Sequence, residues 1–187
     1  MALSSVGMVT VPAATNLCTN GGFETNTTGW SNTDGTSVLA RTTSEAKFGT
    51  ASLSVTTDAG AGGRGVRTPY AVTASAAYTA SAWVKATVGK AFTIRAMRAD
   101  LSTTIATGTF TATGDWQRVT LSYTAPATEN NYVLITRDSG GGIITFYVDG
   151  VQAETGSVAT PYIETDGGTA SRSASLLQPV LNGGNLA

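Results

Sequence analysis

The sequence contains no histidine and only one cysteine, Cys18, among its 187 residues. The lack of imidazole excludes a Ser-His-Asp relay and a histidine-ligated zinc, and a lone cysteine excludes an intrachain disulfide. Charged residues make up 12% of the chain and the formal net charge is -1, so no basic face is available for phosphates. No apolar run approaches the ~18 residues that a membrane span needs. We therefore expect neither nucleic acid nor a membrane as a partner.

The N-terminal segment also lacks positive charge, since the first lysine or arginine is Arg41. A secretory signal begins with positive residues followed by an apolar run, and residues 6–11 are too short and interrupted for that run. With Met1 as the natural start, we expect the protein to be made in the cytoplasm, and either to stay there or to leave by lysis.

Short stretches of alternating polar and apolar residues dominate the chain, separated by turn signals at the spacing of an all-β sandwich. No segment keeps a 3.6-residue period over three turns, so we expect almost no helix. The alternation predicts a two-sheet antiparallel jelly-roll sandwich. The predicted strands are residues 36–42, 51–57, 65–72, 77–86, 91–98, 104–111, 116–124, 131–137 and 143–152.

The alternation also predicts which side chains face the core. In the strand at 77–86, the apolar set Tyr78, Ala80, Ala82 and Val84 occupies one face. Trp83 falls on the opposite, polar face, where an indole is available to a ligand.

The two ends differ in composition from the predicted sandwich, which we place at residues 16–165. Residues 1–15 are small and uncharged and are interpreted as an N-terminal arm. Residues 166–187 are interpreted as a C-terminal arm that begins with a linker at 166–172. Apolar residues beyond a flexible linker are expected to dock on a neighbouring molecule. These assembly residues are Leu176, Leu177, Val180 and Leu181.

Two carboxylates, Glu24 and Asp149, lie beside apolar strand residues, whereas most other acidic residues fall in predicted turns. Buried carboxylates need a partner, and no lysine or arginine adjoins either one in the sequence. A calcium ion near the turn at Phe48 and Gly49 would satisfy both, and so would hydrogen bonds from backbone amides. Both alternatives stay open. No acid/base cleft for catalysis is credible here, so we expect the protein not to be an enzyme.

Five motifs in order resemble the carbohydrate-binding modules of families 4 and 9. They are Asn20-Gly21-Gly22-Phe23-Glu24 with Gly29-Trp30, Gly49-Thr50-Ala51-Ser52-Leu53-Ser54-Val55, Tyr78 to Lys85, Trp116-Gln117-Arg118-Val119, and Phe146 to Val151. The resemblance covers about residues 16–155. It implies a β jelly-roll, often with a structural calcium held by the residues that correspond to Glu24 and Asp149. It also implies a sugar groove on the concave sheet, where aromatic rings stack on pyranose faces.

The candidate glycan-binding residues for such a groove are Trp83, Tyr147, Arg95 and Arg137, with Tyr70 at an edge. Aromatic residues are sparse in this set. A single stacked indole is worth about 1 to 3 kcal/mol by analogy with base stacking on aromatics, which predicts millimolar affinity at best.

Residues 159–165 and 169–172 are similar to the end of such modules in structural proteins of tailed bacteriophages. Together with the lack of a secretory signal, this resemblance leads to the first hypothesis, a virion surface protein. A capsid decoration protein or head fibre is favoured over a tail component. Its partners would be the major capsid protein or other virion subunits and sister copies in a homo-oligomer. It would be located in virions assembled in the host cytoplasm.

The second hypothesis belongs to a different class and assigns the chain a glycan-binding role. Trp83 and Tyr147 would recognise a cell-surface polysaccharide during host adsorption, as part of a phage tail. The same residues would also suit an accessory module of a polysaccharide-degrading enzyme.

Overall fold

The structure is a computed structural model that describes residues 9–60, 62–138 and 142–177. Every regular element in these ranges is a β-strand. The described residues contain no helix long and apolar enough to cross a membrane. The strands are β1 (Val9–Val11), β2 (Ala14–Asn16), β3 (Ser31–Asn32), β4 (Val38–Thr42), β5 (Ser52–Thr56), β6 (Gly65–Val72), β7 (Ala77–Lys85), β8 (Ala91–Met97), β9 (Thr104–Thr111), β10 (Gln117–Thr124), β11 (Glu129–Arg137), β12 (Thr145–Thr155), β13 (Ala170–Arg172) and β14 (Ser175–Leu177).

Two five-stranded antiparallel sheets form the body of the molecule. The first sheet has the order β10-β7-β12-β5-β4, and the second sheet has the order β3-β6-β11-β8-β9. The predicted all-β jelly-roll sandwich is confirmed. The nine predicted strands correspond to β4 through β12, with bounds that differ by at most three residues.

The core lies between the inward faces of the two sheets. Phe92 of the second sheet meets Phe146 of the first sheet edge to face, with ring centroids 4.9 Å apart. The predicted inward set of β7 is buried, and Trp83 lies on the opposite face. Tyr70 was expected at an accessible edge, but it is 3% exposed and shares a 2.7 Å hydrogen bond with the Tyr123 hydroxyl. It faces inward because it keeps the same parity on β6 as the core residues Val66 and Val72.

The two ends of the chain pair with each other. Strand β2 pairs with β13, and β1 pairs with β14, in both cases antiparallel. Residues 166–172, expected as a linker, thus include a strand, because the backbone of 170–172 finds a ladder partner at 14–16. In β14, Leu176 is 54% exposed and Leu177 lies opposite Val9. Val180 and Leu181 lie outside the described residues, and docking of this segment on a neighbour stays a prediction.

Strand β12 contains a bulge that the N-terminal segment fills. The pairing of β12 with β7 shifts register between Asp149 and Gln152, so the backbone of the intervening residues leaves the ladder. The Val151 amide donates to the Gly21 carbonyl at 3.0 Å, and a side chain at Gly21 would collide with the Val151 carbonyl oxygen. The two stretches at Asn20–Trp30 and Thr145–Val151 therefore meet.

Asn16 ties the end of β2 to the same bulge. Its amide nitrogen donates to the carbonyls of Val151 and Ile163, both at 2.9 Å. Its amide oxygen accepts from the backbone amides of Cys18 at 3.1 Å and Ala153 at 3.2 Å. The side chain is fully buried, so water cannot replace these four bonds.

We expect Asn16→Ala to lower the free energy of unfolding by about 3 kcal/mol or more, because it leaves four buried backbone groups without their partner. Urea unfolding of the intact chain measures this loss. Thr15→Ala is the matched control, since its hydroxyl bonds Ser171 at the surface and its loss should cost less than about 0.5 kcal/mol. Equal effects of the two changes would contradict this role of Asn16.

Candidate functional site

A loop at residues 47–51 crosses the outer face of the first sheet, and two carboxylates hold it there. Asp149 lies on β12 and accepts hydrogen bonds from the amides of Lys47 at 2.7 Å and Phe48 at 2.9 Å. Its other oxygen accepts from the Gly150 amide at 2.6 Å. Both oxygens of this buried side chain thus face N–H groups.

Glu24 holds the other end of the loop. Its carboxylate accepts from the amide and hydroxyl of Thr50, at 3.0 and 2.8 Å, and from the Ala51 amide at 3.2 Å. Gly49 has a φ of +57° and lies so close to Glu24 that a side chain there would overlap the carboxylate. Glycine is therefore required at this position for both conformation and space.

These contacts match the amide alternative for Glu24 and Asp149. A calcium ion needs oxygen lone pairs directed at one point, but here N–H and O–H donors face both carboxylates. The described ranges contain no group of three histidine, cysteine or acidic side chains that could hold a metal ion. The residues present therefore do not fit calcium, and calcium binding stays an untested prediction of the family resemblance.

The two carboxylates differ in their proton affinity. Burial raises the pKa of Asp149 to about 6, against the opposing effect of three amide hydrogen bonds, and the nearby charge of Glu24 adds to the rise. Burial also acts to raise the pKa of Glu24, but hydrogen bonds from Thr50 and Ala51 and the charge of Arg41 bring it below its usual value. Glu24 is therefore the carboxylate that stays charged at mildly acidic pH.

Beside this loop lies a cleft of about 490 Å³, which we call the Trp83 cleft. Trp83 and Arg118 are directly opposed on β7 and β10, so both project from the outer face of the first sheet. The residues that line the cleft are Phe48, Gly49, Trp83, Arg118, Pro161, Tyr162 and Glu164. It thus combines aromatic rings with one cationic and one anionic side chain.

The rings of the cleft hold one another in place. Phe48 stacks on Tyr162 with centroids 4.8 Å apart and meets Trp83 edge to face at 6.0 Å. Gly150, with φ of +55°, leaves room for both Phe48 and Trp83 above its backbone. The Lys47 ammonium lies 4.1 Å from the Trp83 ring centroid, which is the geometry of a cation–π contact.

Arg118 supplies the polar part of the cleft. One terminal nitrogen donates to the Ser81 hydroxyl at 3.0 Å and to the Thr160 carbonyl at 2.5 Å. Its Nε is buried and has no hydrogen-bond partner within the described part of the chain. Burial lowers the pKa of Arg118, partly offset by the charge of Glu154. The contacts with Ser81 and Thr160 thus hold the guanidinium at the wall of the cleft.

The structure separates the four candidate glycan-binding residues predicted from the sequence. Trp83 and Tyr147 share the outer face of the first sheet, but Tyr147 lines a different pocket with Lys85 and Thr145. Arg95 lies on the outer face of the second sheet. Arg137 is 1% exposed and donates to the carbonyls of Gly60 and Gly142, so it holds two turns and does not face a ligand.

Sequence reasoning missed the roles of Phe48, Arg118 and Tyr162 in the cleft. Arg118 stands in the motif Trp116-Gln117-Arg118-Val119, and its alternation with the buried Val119 was an available signal that it faces outward. Phe48 and Tyr162 lie in irregular segments, where no periodicity shows the direction of a side chain.

Comparison with known proteins identifies the class of this domain. Residues 15–137 match the model of a family described as a carbohydrate binding domain. No curated protein matches the chain.

Similar solved structures share the fold. A family 4 carbohydrate-binding module is 20% identical with a TM-score of 0.59, covering 72% of this chain and 99% of the module. The module pair of xylanase 10B from Clostridium thermocellum, complexed with xylohexaose, is 23% identical with a TM-score of 0.57, covering 75% of this chain and 28% of that chain. A Stig cyclase from Fischerella sp. TAU is 14% identical with a TM-score of 0.60, covering 82% of this chain and all of the cyclase. The fold alone therefore does not decide function.

The raised pKa of Asp149 predicts a pH-dependent stability. The folded state keeps this proton between the ordinary value of 3.8 and about 6, where the unfolded chain has lost it. The stability contributed by this group is therefore complete below pH 3.8 and is lost as the pH rises through about 6. The difference in unfolding free energy between the wild type and Asp149→Ala should fall by about 1 to 3 kcal/mol over this range. Urea unfolding at stepped pH measures it, and a difference that grows with pH would contradict the assignment.

The donor geometry around Glu24 and Asp149 predicts that calcium does not stabilise the fold. We expect the melting temperature to agree within about 2 °C in excess calcium and in EDTA, because a bound ion would stabilise the folded state by mass action. Differential scanning calorimetry provides the measurement. A calcium-dependent rise that disappears in Glu24→Gln would show that the ion displaces the amides.

Proposed function

Because the chain belongs to the carbohydrate-binding domain family whose model matches residues 15–137, we propose that it is a non-catalytic module that binds a polysaccharide. The observation that supports the proposal most is the Trp83 cleft, where an indole lies directly beside an arginine that lines the same cleft. A sugar ring has an apolar C–H face and a rim of hydroxyls, and this pair of side chains matches both.

The aromatic part of the cleft would contact the C–H face of the sugar. Trp83 supplies the largest ring, and Phe48 holds it from the edge. Since Phe48 and Tyr162 stack on each other, the rings are fixed before a ligand arrives. Such preorganisation reduces the entropy lost on binding.

The polar part of the cleft would select the hydroxyls. Arg118 is positively charged and can only donate hydrogen bonds. The exposed carboxylate of Glu164 is negatively charged and accepts them. A hydroxyl both donates and accepts, so it can bond to the two side chains at once. Charged groups form stronger hydrogen bonds than neutral ones, which supports this pairing.

The size of the cleft limits the ligand. A volume of about 490 Å³ lies in the usual range for small-molecule sites. We infer that the cleft takes a chain end or a short segment, and that the affinity is weak for one module. The xylohexaose bound to the xylanase module pair supports a polysaccharide as the ligand class.

The virion hypothesis stays a prediction. The family match concerns the sandwich and supports the glycan-binding hypothesis, either for host adsorption or as an accessory module of a polysaccharide-degrading enzyme. A capsid partner, a homo-oligomer and a virion location rest on sequence reasoning, chiefly the resemblance of residues 159–165 and 169–172 and the two predicted arms. Deleting residues 173–187 tests the predicted role of the C-terminal arm, because we expect the sandwich to stay folded while incorporation into particles is lost. A truncated chain that still decorates particles would rule out anchoring by this arm.

We expect Trp83→Ala to weaken polysaccharide binding by about tenfold or more, because it removes stacking worth about 1 to 3 kcal/mol. Affinity gel electrophoresis against neutral polysaccharides, including xylan and mixed β-glucans, measures the change. Tyr147→Ala is the matched control, since it removes a ring from the same sheet face outside the cleft. Both variants should keep their melting temperature within a few degrees.

Wild-type binding that survives Trp83→Ala unchanged, or that is lost equally in Tyr147→Ala, would contradict the assignment of the cleft. A wild-type chain that binds none of the polysaccharides on a glycan array would contradict the proposed function itself.

A further inference from the structure

An amide, a carboxylate and a hydroxyl lie together at the end of β12, in a group that we call the Gln152 cluster. Gln152 and Glu154 are two residues apart on this strand, so both project from the outer face of the first sheet. Gln152 is fully buried and Glu154 is 1% exposed, and the half-buried Thr160 lies against both. None of the three lines the Trp83 cleft.

Each member of the Gln152 cluster contacts the other two. The Thr160 hydroxyl donates to one oxygen of Glu154 at 2.7 Å, and the Gln152 amide nitrogen donates to the other oxygen at 2.7 Å. The same nitrogen donates to the Thr160 hydroxyl oxygen at 3.1 Å. The Gln152 amide oxygen accepts from the Ile163 backbone amide at 2.8 Å. A hydroxyl, a carboxylate and a polarised amide carbonyl are thus held side by side.

These contacts match the parts that acyl transfer requires. A hydroxyl nucleophile needs a base bonded to it, and Thr160 with Glu154 supplies that pair. The developing negative charge needs a fixed N–H donor, and the Ile163 amide already donates to the oxygen on which this charge forms. The Gln152 carbonyl carbon is one C–N bond, about 1.3 Å, beyond the nitrogen that contacts Thr160. A small movement of the hydroxyl along the amide brings it to the ~3 to 3.5 Å of a reactive pair.

We propose that Thr160 and Gln152 join through an intramolecular ester with release of ammonia. Glu154 takes the hydroxyl proton while the Thr160 oxygen attacks the Gln152 carbonyl carbon, which forms the new C–O bond and a tetrahedral intermediate. The C–N bond then breaks, and Glu154 returns the proton to the departing nitrogen, which leaves as ammonia. Glu154 ends in the state in which it began, and no oxidant, reductant or cofactor takes part.

The surroundings favour formation and retention of this bond. Burial of Gln152 and Glu154 excludes the water that would otherwise hydrolyse the ester. Thr160 is half-buried, which leaves the ammonia a route to solvent. Free ammonia takes up a proton from water at neutral pH, as amines do, and this draws the exchange towards the ester. The Arg118 guanidinium donates to the Thr160 carbonyl at 2.5 Å and keeps the nucleophile at β12.

The ester would give the chain a covalent tie that it cannot form through cysteine. Cys18 is the only cysteine, so no disulfide joins two parts of this chain. The ester would fasten β12 to the segment that continues into Pro161 and Tyr162, which line the Trp83 cleft. This inference does not rest on glycan binding, because the reaction involves only residues of the chain and needs no ligand.

The test is the mass of one peptide from the purified full chain. Trypsin releases residues 138–172 as a single peptide, in which Gln152 is the only side-chain amide. We expect this peptide to be lighter than its sequence by one ammonia molecule, and to give no backbone fragments between residues 152 and 160, because the ester closes that ring. Mild alkali should then add one water molecule and open the ring. A wild-type peptide of unmodified mass would overturn the proposal.

Variants assign the roles. Thr160→Val removes the nucleophile and Glu154→Gln removes the base, so both should return the peptide to its unmodified mass. Thr160→Ser keeps a hydroxyl and should still lose ammonia. Thr155→Val is the matched control, since this exposed hydroxyl lies outside the cluster, and the loss should be unchanged. A loss of ammonia that persists in Thr160→Val would overturn the proposed bond, and a complete loss in Glu154→Gln would contradict the role of the base.

Discussion

The bulge in β12 is the constraint on which this structure depends. Where β12 leaves its ladder with β7, the backbone of Gly150 and Val151 loses its regular partners in a fully buried position. Buried backbone groups without partners are costly, so other parts of the chain must supply them. Gly21 accepts from the Val151 amide, Asn16 donates to the Val151 carbonyl, and Asp149 accepts from the Gly150 amide.

The same bulge positions the candidate site. Asp149 uses its second oxygen to hold the amides of Lys47 and Phe48, which brings the 47–51 loop over the sheet. The bare backbone of Gly150 then gives Phe48 and Trp83 room to pack together. The Trp83 cleft is therefore a consequence of how the backbone polar groups of the bulge obtain their hydrogen bonds. The family resemblance implies calcium at Asp149. In this structure, the Asp149 carboxylate instead holds the 47–51 loop through hydrogen bonds from backbone amides.

The central strands were predictable from sequence because burial of one face imposes alternation, as in β7. The short strands were not predictable, since β2 and β13 have three residues each and find their ladder across more than 150 positions. Alternation also shows that a side chain faces outward without showing which of two sheets carries it. Trp83 and Arg95 were grouped for that reason, although they project from opposite sides of the sandwich. Arg137 continues the inward parity of Ile135, and its burial depends on the turns at Gly60 and Gly142 that close over it.

The outer face of the first sheet offers a glycan aromatic rings beside one arginine. The central claim is that the Trp83 indole contacts the sugar. Nitrogen–proton NMR tests this contact directly. It follows the indole N–H signals of the three tryptophans while a neutral oligosaccharide that the protein binds is titrated in. Trp30 is an internal reference, because it does not line the cleft and its indole nitrogen donates to the Asn20 carbonyl at 2.8 Å. We expect a saturable shift of the Trp83 signal while the Trp30 signal stays fixed. Saturable binding that leaves the Trp83 signal unmoved would contradict it.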